Sequence, residues 1–261
     1  MRLVVTDAEV TLADVLSLRV SLDDPVAEGA ELVLRHRTEA VERRVRLGAP
    51  GAELRDVGFA VSLAPLALTP GRWDAYLGLG DRLVRMKSVD PGFSLDHLEA
   101  YTLSRRALAY RAYRTQGGYL AIKITEVEPT AEVRAVWFRE GRFEVTGQLA
   151  YTGIDDDDMR HTARLTLTRD RPLGTLATTA TVQGVRFHAQ VSLCDMVDAH
   201  SGTWHPTLAV EGLSDPLRFS ARLDDVDGKG RRLQYPAAHV DGVAIQPVYT
   251  DDDELRLEVN R

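Results

Sequence analysis

Residues 16–22, LSLRVSL, place Leu16, Leu18, Val20 and Leu22 on one side of an extended chain and Ser17, Arg19 and Ser21 on the other. Strict alternation of this kind predicts a strand with one buried face. The pattern returns at Val57–Leu63, Trp73–Leu79, Phe143–Leu149, Val185–Leu193 and Leu217–Leu223, each with every second residue apolar or small. Turn formers separate the runs: Asp23-Asp24-Pro25, Gly48-Ala49-Pro50-Gly51, Gly117-Gly118 and Asp227-Gly228. Only residues 94–109 tolerate a helical reading, and then a short one. Many short strands with one apolar face predict an all-β protein of antiparallel sandwiches, immunoglobulin-like in type.

The chain also repeats itself. Gly71-x-Trp73 is matched by Gly202-x-Trp204, an offset of 204 − 73 = 131, and VSL at 61–63 is matched by VSL at 191–193, an offset of 130. LVLR at 32–35 corresponds to LTLT at 165–168, and YRTQGGYLAIKI at 113–124 to YTDDDELRLEV at 249–259. The landmarks keep their order, so the sequence predicts two β-sandwich repeats, 1–126 and 133–261. The acidic stretch TEVEPTAE, with Pro129, suggests a linker at 127–132. Each half is long enough to bury a core. Trp73 and Trp204 head alternating runs and are expected to fill those two cores. Platforms for a sugar ring are the alternative reading of the same pair.

Composition narrows the function classes. Hydrophobic residues make up 44% and charged residues 27%, which suits an ordinary globular chain. No run approaches the length of a membrane span, and the acidic residues of MRLVVTDAEV interrupt any signal-like start. A cytoplasmic protein is the expectation. A net charge of −7 argues against a general nucleic-acid binder. A local basic cluster remains at Arg105, Arg106, Arg111 and Arg114, read as a solvated strand edge. Cys194 is the single cysteine and is expected to be buried and inert.

Recognisable chemistry is scarce. Asp155–Asp158 and Asp251–Glu254 are carboxylate clusters without the spacing of a calcium loop, and are expected to be solvated hairpins. His161, His188, His200 and His205 show no zinc-ligand spacing. Neither a nucleophile elbow nor a phosphate-binding glycine loop is present; Gly78-Leu79-Gly80 and Gly228-Lys229-Gly230 read as turns. The sequence therefore predicts no catalytic residue, no cofactor and no metal. Trp137, Tyr101, Arg111 and Arg114 remain as candidate ligand contacts.

The stretches GRWDAYLGLGDRLVRM and RALAYRAYRTQGGYLAIKI resemble β-rich accessory modules that follow the catalytic domain in actinobacterial teichoic-acid-type enzymes, namely CDP-glycerol glycerophosphotransferases and related family-2 glycosyltransferases. Gly71, Trp73, Asp74, Arg82, Tyr113, Arg114, Thr115, Gly118 and Leu120 match that pattern. In the second half Gly202, Trp204, Tyr249, Thr250 and Leu255 match, while His205 stands in place of the aspartate and the arginine is missing. The resemblance implies a non-catalytic module that assembles a cell-envelope polymer transferase or positions its substrate. Its partners would be the transferase, a second copy, or an envelope glycan. A stand-alone glycan-binding protein is the alternative, and a glycan hydrolase a third.

Overall fold

The computed structural model describes residues 3–26, 29–48, 54–90, 95–170, 173–198, 201–223 and 228–261. The turn expected at Ala49–Gly51, the aspartate of the Asp227-Gly228 turn and His200 lie outside them. Where the sequence alternates, the chain is extended, and the protein is all-β with a few short helices. It divides into two units: Met1–Tyr101 with Arg106–Val127, and Thr102–Arg105 with Glu128–Arg261.

In the first unit the strands are β1 (Leu3–Val10), β2 (Val15–Val26), β3 (Glu31–His36), β4 (Glu42–Arg46), β5 (Leu54–Ser62), β6 (Gly71–Leu79), β7 (Arg82–Arg85), β8 (Lys87–Ser88), β9 (Leu108–Arg114) and β10 (Leu120–Glu126). They form one sheet in the order β5-β2-β1-β8 and another in the order β4-β3-β6-β10-β9, with β7 beside β6. The apolar sets of both sheets share one core, including Leu16, Leu18, Leu32, Leu34, Trp73 and Ile122. Helix α1 (Leu95–Thr102) occupies only half of the stretch that tolerated a helix. From Leu108 the chain is extended, because Leu108, Tyr110 and Ala112 turn towards that core at period two. The Asp23-Asp24-Pro25 turn is absent. These residues lie within the span of β2, where the pairing with β5 jumps between Ser21 and Val26. A proline that cannot donate to the ladder is accommodated at such an irregularity.

The second unit contains β11 (Thr130–Arg139), β12 (Arg142–Ala150), β13 (Arg160–Arg169), β14 (Gly174–Gln183), β15 (Arg186–Ser192), α2 (Leu193–Asp198), β16 (Gly202–Val210), β17 (Leu217–Ser220), α3 (Lys229–Arg232), β18 (Ala238–Val240), β19 (Val243–Tyr249) and β20 (Leu255–Asn260). Its strands run β13-β14-β15-β12-β11-β17-β16, and β16 pairs back onto β13. That ring is a closed seven-stranded barrel, with β20, β19 and β18 added beyond β16. The expected sandwich is therefore not what the second unit forms. Closure depends on strand length. β14 has ten residues and reaches β13 along its length and β15 at its end, through Thr181↔His188 and Val182↔Phe187. β4 of the first unit, beside β3, has five.

The expected linker 127–132 also differs. Thr130, Ala131 and Glu132 open β11, and Ala131 and Glu132 pair in parallel with Phe219 and Ser220. Thr130 Oγ1 donates to Arg218 O at 2.8 Å, while Glu132 accepts from Leu223 N at 2.8 Å and Ser220 Oγ at 3.1 Å. Burial pushes the Glu132 carboxyl upward, against these hydrogen bonds, which favour the ionised form. Glu132 of the acidic stretch thus belongs to a buried polar seam between two parallel strands.

Both repeated Gly-x-Trp segments use a similar device. Trp73 and Trp204 are fully buried. The His36 ring meets Trp73 edge-on at 5.1 Å, and its Nε2 lies 3.2 Å from the carbonyl of Pro70, just before Gly71. The Arg169 guanidinium lies 4.7 Å from the centre of Trp204 and donates to Ser201 O, just before Gly202. Gly71 is required twice over. Its φ is +133°, and a Cβ there would stand 2.2 Å from His36 Nε2.

The two closing hairpins are also alike. Thr115 N donates to Tyr119 O and Thr250 N to Glu254 O, both at 2.9 Å, while each threonine hydroxyl accepts from the N–H four residues on. Asp253 of the second hairpin is buried and accepts from Gly228 N and Lys229 N. This aspartate is a structural cap and departs from the solvated loop expected of its run. Cys194 is exposed, contrary to expectation. The period changes from two to helical at α2, where Leu193 and Met196 turn inward and leave Cys194 outside.

Candidate functional site

Alternation fixes what the second face of the β4-β3-β6-β10-β9 sheet carries. With Leu32, Leu34, Trp73, Ala75, Ile122 and Ala112 in the core, the intervening residues share the outer face. By register these include Arg44 and Arg46 on β4, Arg35 on β3, Arg72 on β6, Arg85 on β7, Lys123 on β10 and Arg111 on β9. The anions on the same face are Glu31, Glu42 and Asp74. Among the described residues of these strands, seven cations share the face with three anions, in a chain whose net charge is −7.

Asp74 is buried among the cations, while Glu31 and Glu42 are partly exposed. Asp74 is 8% exposed; Arg72 bonds it at 2.7 Å, Arg85 approaches to 3.2 Å and Arg37 to 4.0 Å. Arg35 and Arg44 both hold Glu42, and Arg44 reaches on to Glu31 at 3.1 Å. These hydrogen bonds, led by that of Arg35, hold the Glu42 carboxyl below its ordinary range. Arg72, Lys123 and Arg111 form a row across three adjacent strands, through the pairs Lys123↔Arg72 and Lys123↔Arg111. Neighbouring strands lie about 4.8 Å apart, so three positive positions span about 10 Å. The Tyr76 ring carries Arg35 at 5.5 Å and the Tyr119 ring carries Arg85 at 4.3 Å.

The three candidate ligand contacts of the first unit do not share one surface. Arg111 lies in the cationic row. Arg114, three residues on, falls on the opposite side of β9 by period two and reaches back over Gly118 at the hairpin. Tyr101 is buried, with its ring and hydroxyl committed inside the first unit. Its hydroxyl donates to Asp14 Oδ1 at 2.6 Å and accepts from Tyr110 N at 3.1 Å, and Arg106 stacks 3.7 Å from its ring centre. Arg106 also bonds Asp14, so it is not a solvated edge residue. Trp137 lies in the second unit, 42% exposed on the outside of the barrel, directly across from Glu144. Among the described residues no three histidine, cysteine, aspartate or glutamate side chains gather as a metal site. Sequence reasoning isolated Arg111 but missed the row, because Arg72 and Lys123 join it through pairing between distant strands.

Tyr101 supplies a pH test of the first unit. Burial, followed by the adjacent Asp14 carboxylate, pushes its hydroxyl pKa well above that of free tyrosine. An unfolded tyrosine ionises near about pH 10, so above that pH the unfolded chain loses a proton that the folded chain keeps. The stabilisation is complete below about pH 10 and falls as pH rises further. Denaturant titrations from pH 8 to 11 (a range set by the ordinary tyrosine pKa of about 10) should show this loss in the native chain. Tyr101→Phe should flatten it and cost about 1–3 kcal/mol at neutral pH, since Tyr110 N–H loses its acceptor.

No protein-family model matches the chain, and no curated protein is significantly similar to it. Among solved structures it is similar to residues 217–571 of S. aureus TarS, at 11% identity and a TM-score of 0.37, covering 83% of this chain and 61% of that one. Against a longer TarS structure the identity is 11% and the TM-score 0.37, covering 78% of this chain and 38% of that one. The chain thus spans less than two thirds of either TarS structure.

Proposed function

We propose that this chain is a non-catalytic accessory module of a cell-envelope polymer transferase, and that its first unit holds the polymer through the arginine-rich sheet face. The observation that carries the reading is the row Arg72–Lys123–Arg111 within a face of seven cations and three anions. A flat, positively charged sheet surface suits an extended polyanion, whose phosphates each release counterions on contact. The motif resemblance to teichoic-acid-type enzymes supplies the class of polymer, a chain of phosphodiester-linked alditols. The similar Gly-x-Trp and hairpin arrangements support descent of the two units from one duplicated module.

The test is a calorimetric titration of the full chain with poly(glycerol phosphate) at low salt. Binding is expected, and the double substitution Arg111→Glu with Lys123→Glu should weaken it about tenfold or more. Absence of binding, or equal affinity in the double variant, would reject the reading.

A further inference from the structure

The outer surface of the barrel presents an arrangement that the cationic sheet face does not use. Trp137 is 42% exposed, whereas the other two tryptophans are fully buried. Pairing across the barrel strands sets Trp137 against Glu144, and Glu144 against Gln190 of β15. One step along, Thr146 pairs with His188 on the same face. Glu144 is 4% exposed although it points outward, because Arg139 closes over it. Arg139 Nε and Nη2 donate to Glu144 Oε2 at 2.6 and 2.5 Å, and the guanidinium stands 5.5 Å from the Trp137 ring centre. His188 Nε2 lies 3.5 Å from the same oxygen. The other oxygen, Oε1, accepts no hydrogen bond among the described residues. The Arg139 hydrogen bond, foremost among the causes, holds the Glu144 carboxyl below its usual range.

We infer that Trp137, Glu144, Arg139 and Gln190 form a subsite for a single hexopyranose ring. Arg139 stands over the Trp137 ring, and the exposed remainder of the indole offers a flat apolar surface to the C–H face of a sugar. Beside it a fixed carboxylate oxygen accepts from a ring hydroxyl, and guanidinium and amide groups donate to others. A protein partner fits less well. A hot-spot tryptophan belongs at the centre of a well-packed, desolvated patch, whereas the described neighbours of Trp137 on this face are mostly polar: Glu144, Arg139, Gln190 and Thr146, with Ala135 the apolar exception. The occupant is uncharged or weakly charged, which sets this subsite apart from the polyanion face of the first unit.

Trp137 also reports on itself. Acrylamide should quench its emission, while Trp73 and Trp204 stay protected. The full chain is titrated with methyl glycosides and short oligomers of glucose, galactose and N-acetylglucosamine, up to tens of millimolar. At least one should shift the emission and protect Trp137 from acrylamide. Glu144→Gln, with an unchanged melting curve, should weaken that protection about tenfold. Silence across the panel overturns the inference. So does protection that survives in Glu144→Gln, or a Trp137→Ala variant whose only change is in oligomeric state.

Discussion

Gly147→Ala should unfold the second unit or lower its stability by about 3 kcal/mol or more, at the upper end of overpacking costs. Gly147 sits in β12, where alternation places it on the core side between Val145 and Leu149. A Cβ at that position would stand 1.9 Å from the carbonyl oxygen of Glu132 and 2.7 Å from the Phe187 ring. The first obstacle is backbone, so no side-chain rotation relieves it. The Glu132 carbonyl comes this close beside the irregularity between Val133 and Ala135, where β11 bends over β12. Phe187 occupies the space left by the missing side chain and meets Phe219 edge-on at 5.4 Å. An alanine would part β11 from β12 and displace Phe187 at once, opening the barrel. Urea denaturation followed by circular dichroism measures the effect. A stability within about 0.5 kcal/mol of the native chain, the usual reach of a harmless surface change, would show that the strands yield without strain.

Trp73→Ala and Trp204→Ala should each cost about 3–5 kcal/mol, the range for removing a large core aromatic. Both side chains are fully buried, and each loses more than apolar packing. Trp73 Nε1 donates to Thr69 O at 2.8 Å, and His36 packs its ring edge on the indole. In the second unit Arg169 is 3% exposed and rests on Trp204, so the alanine leaves a buried guanidinium over a cavity. A domain has about 5–15 kcal/mol of stability in all, so either change removes a large fraction. Fluorescence should agree: both residues emit at short wavelength and resist acrylamide. Strong quenching of either, with unchanged stability in its alanine variant, would contradict the core assignment.

The strands were legible because period two is a direct consequence of one buried face. Leu16–Leu22 and Trp73–Leu79 lie in strands with the inward faces expected. The barrel was not legible, since closure rests on β14 reaching β15 and on β16 returning to β13, and local patterning says nothing of which strands meet. The same gap hid the candidate site. Arg72, Lys123 and Arg111 are each unremarkable in their own strand and become a row only through pairing. Composition misled at two places. The acidic run at 127–132 suggested a linker, yet Glu132 lies in β11, buried among donors; the Asp251–Glu254 run suggested a solvated loop, yet Asp253 caps two backbone N–H groups. In both, the carboxylate serves as an acceptor for backbone N–H groups.

The central claim, that the sheet face of the first unit holds a polyanion, is tested most directly by the salt dependence of poly(glycerol phosphate) binding in three forms of the full chain. Log affinity should fall linearly with log salt in the native chain, as counterion release requires. The Arg111→Glu, Lys123→Glu variant should bind more weakly, with a slope shallower by about two, roughly one for each phosphate no longer neutralised. Asp74→Asn should change affinity in the opposite direction, because it removes an anion that Arg72, Arg85 and Arg37 surround. Tighter binding by Asp74→Asn together with weaker binding by the double variant is the predicted result. Affinity that ignores salt, or that is the same in all three forms, would contradict the account.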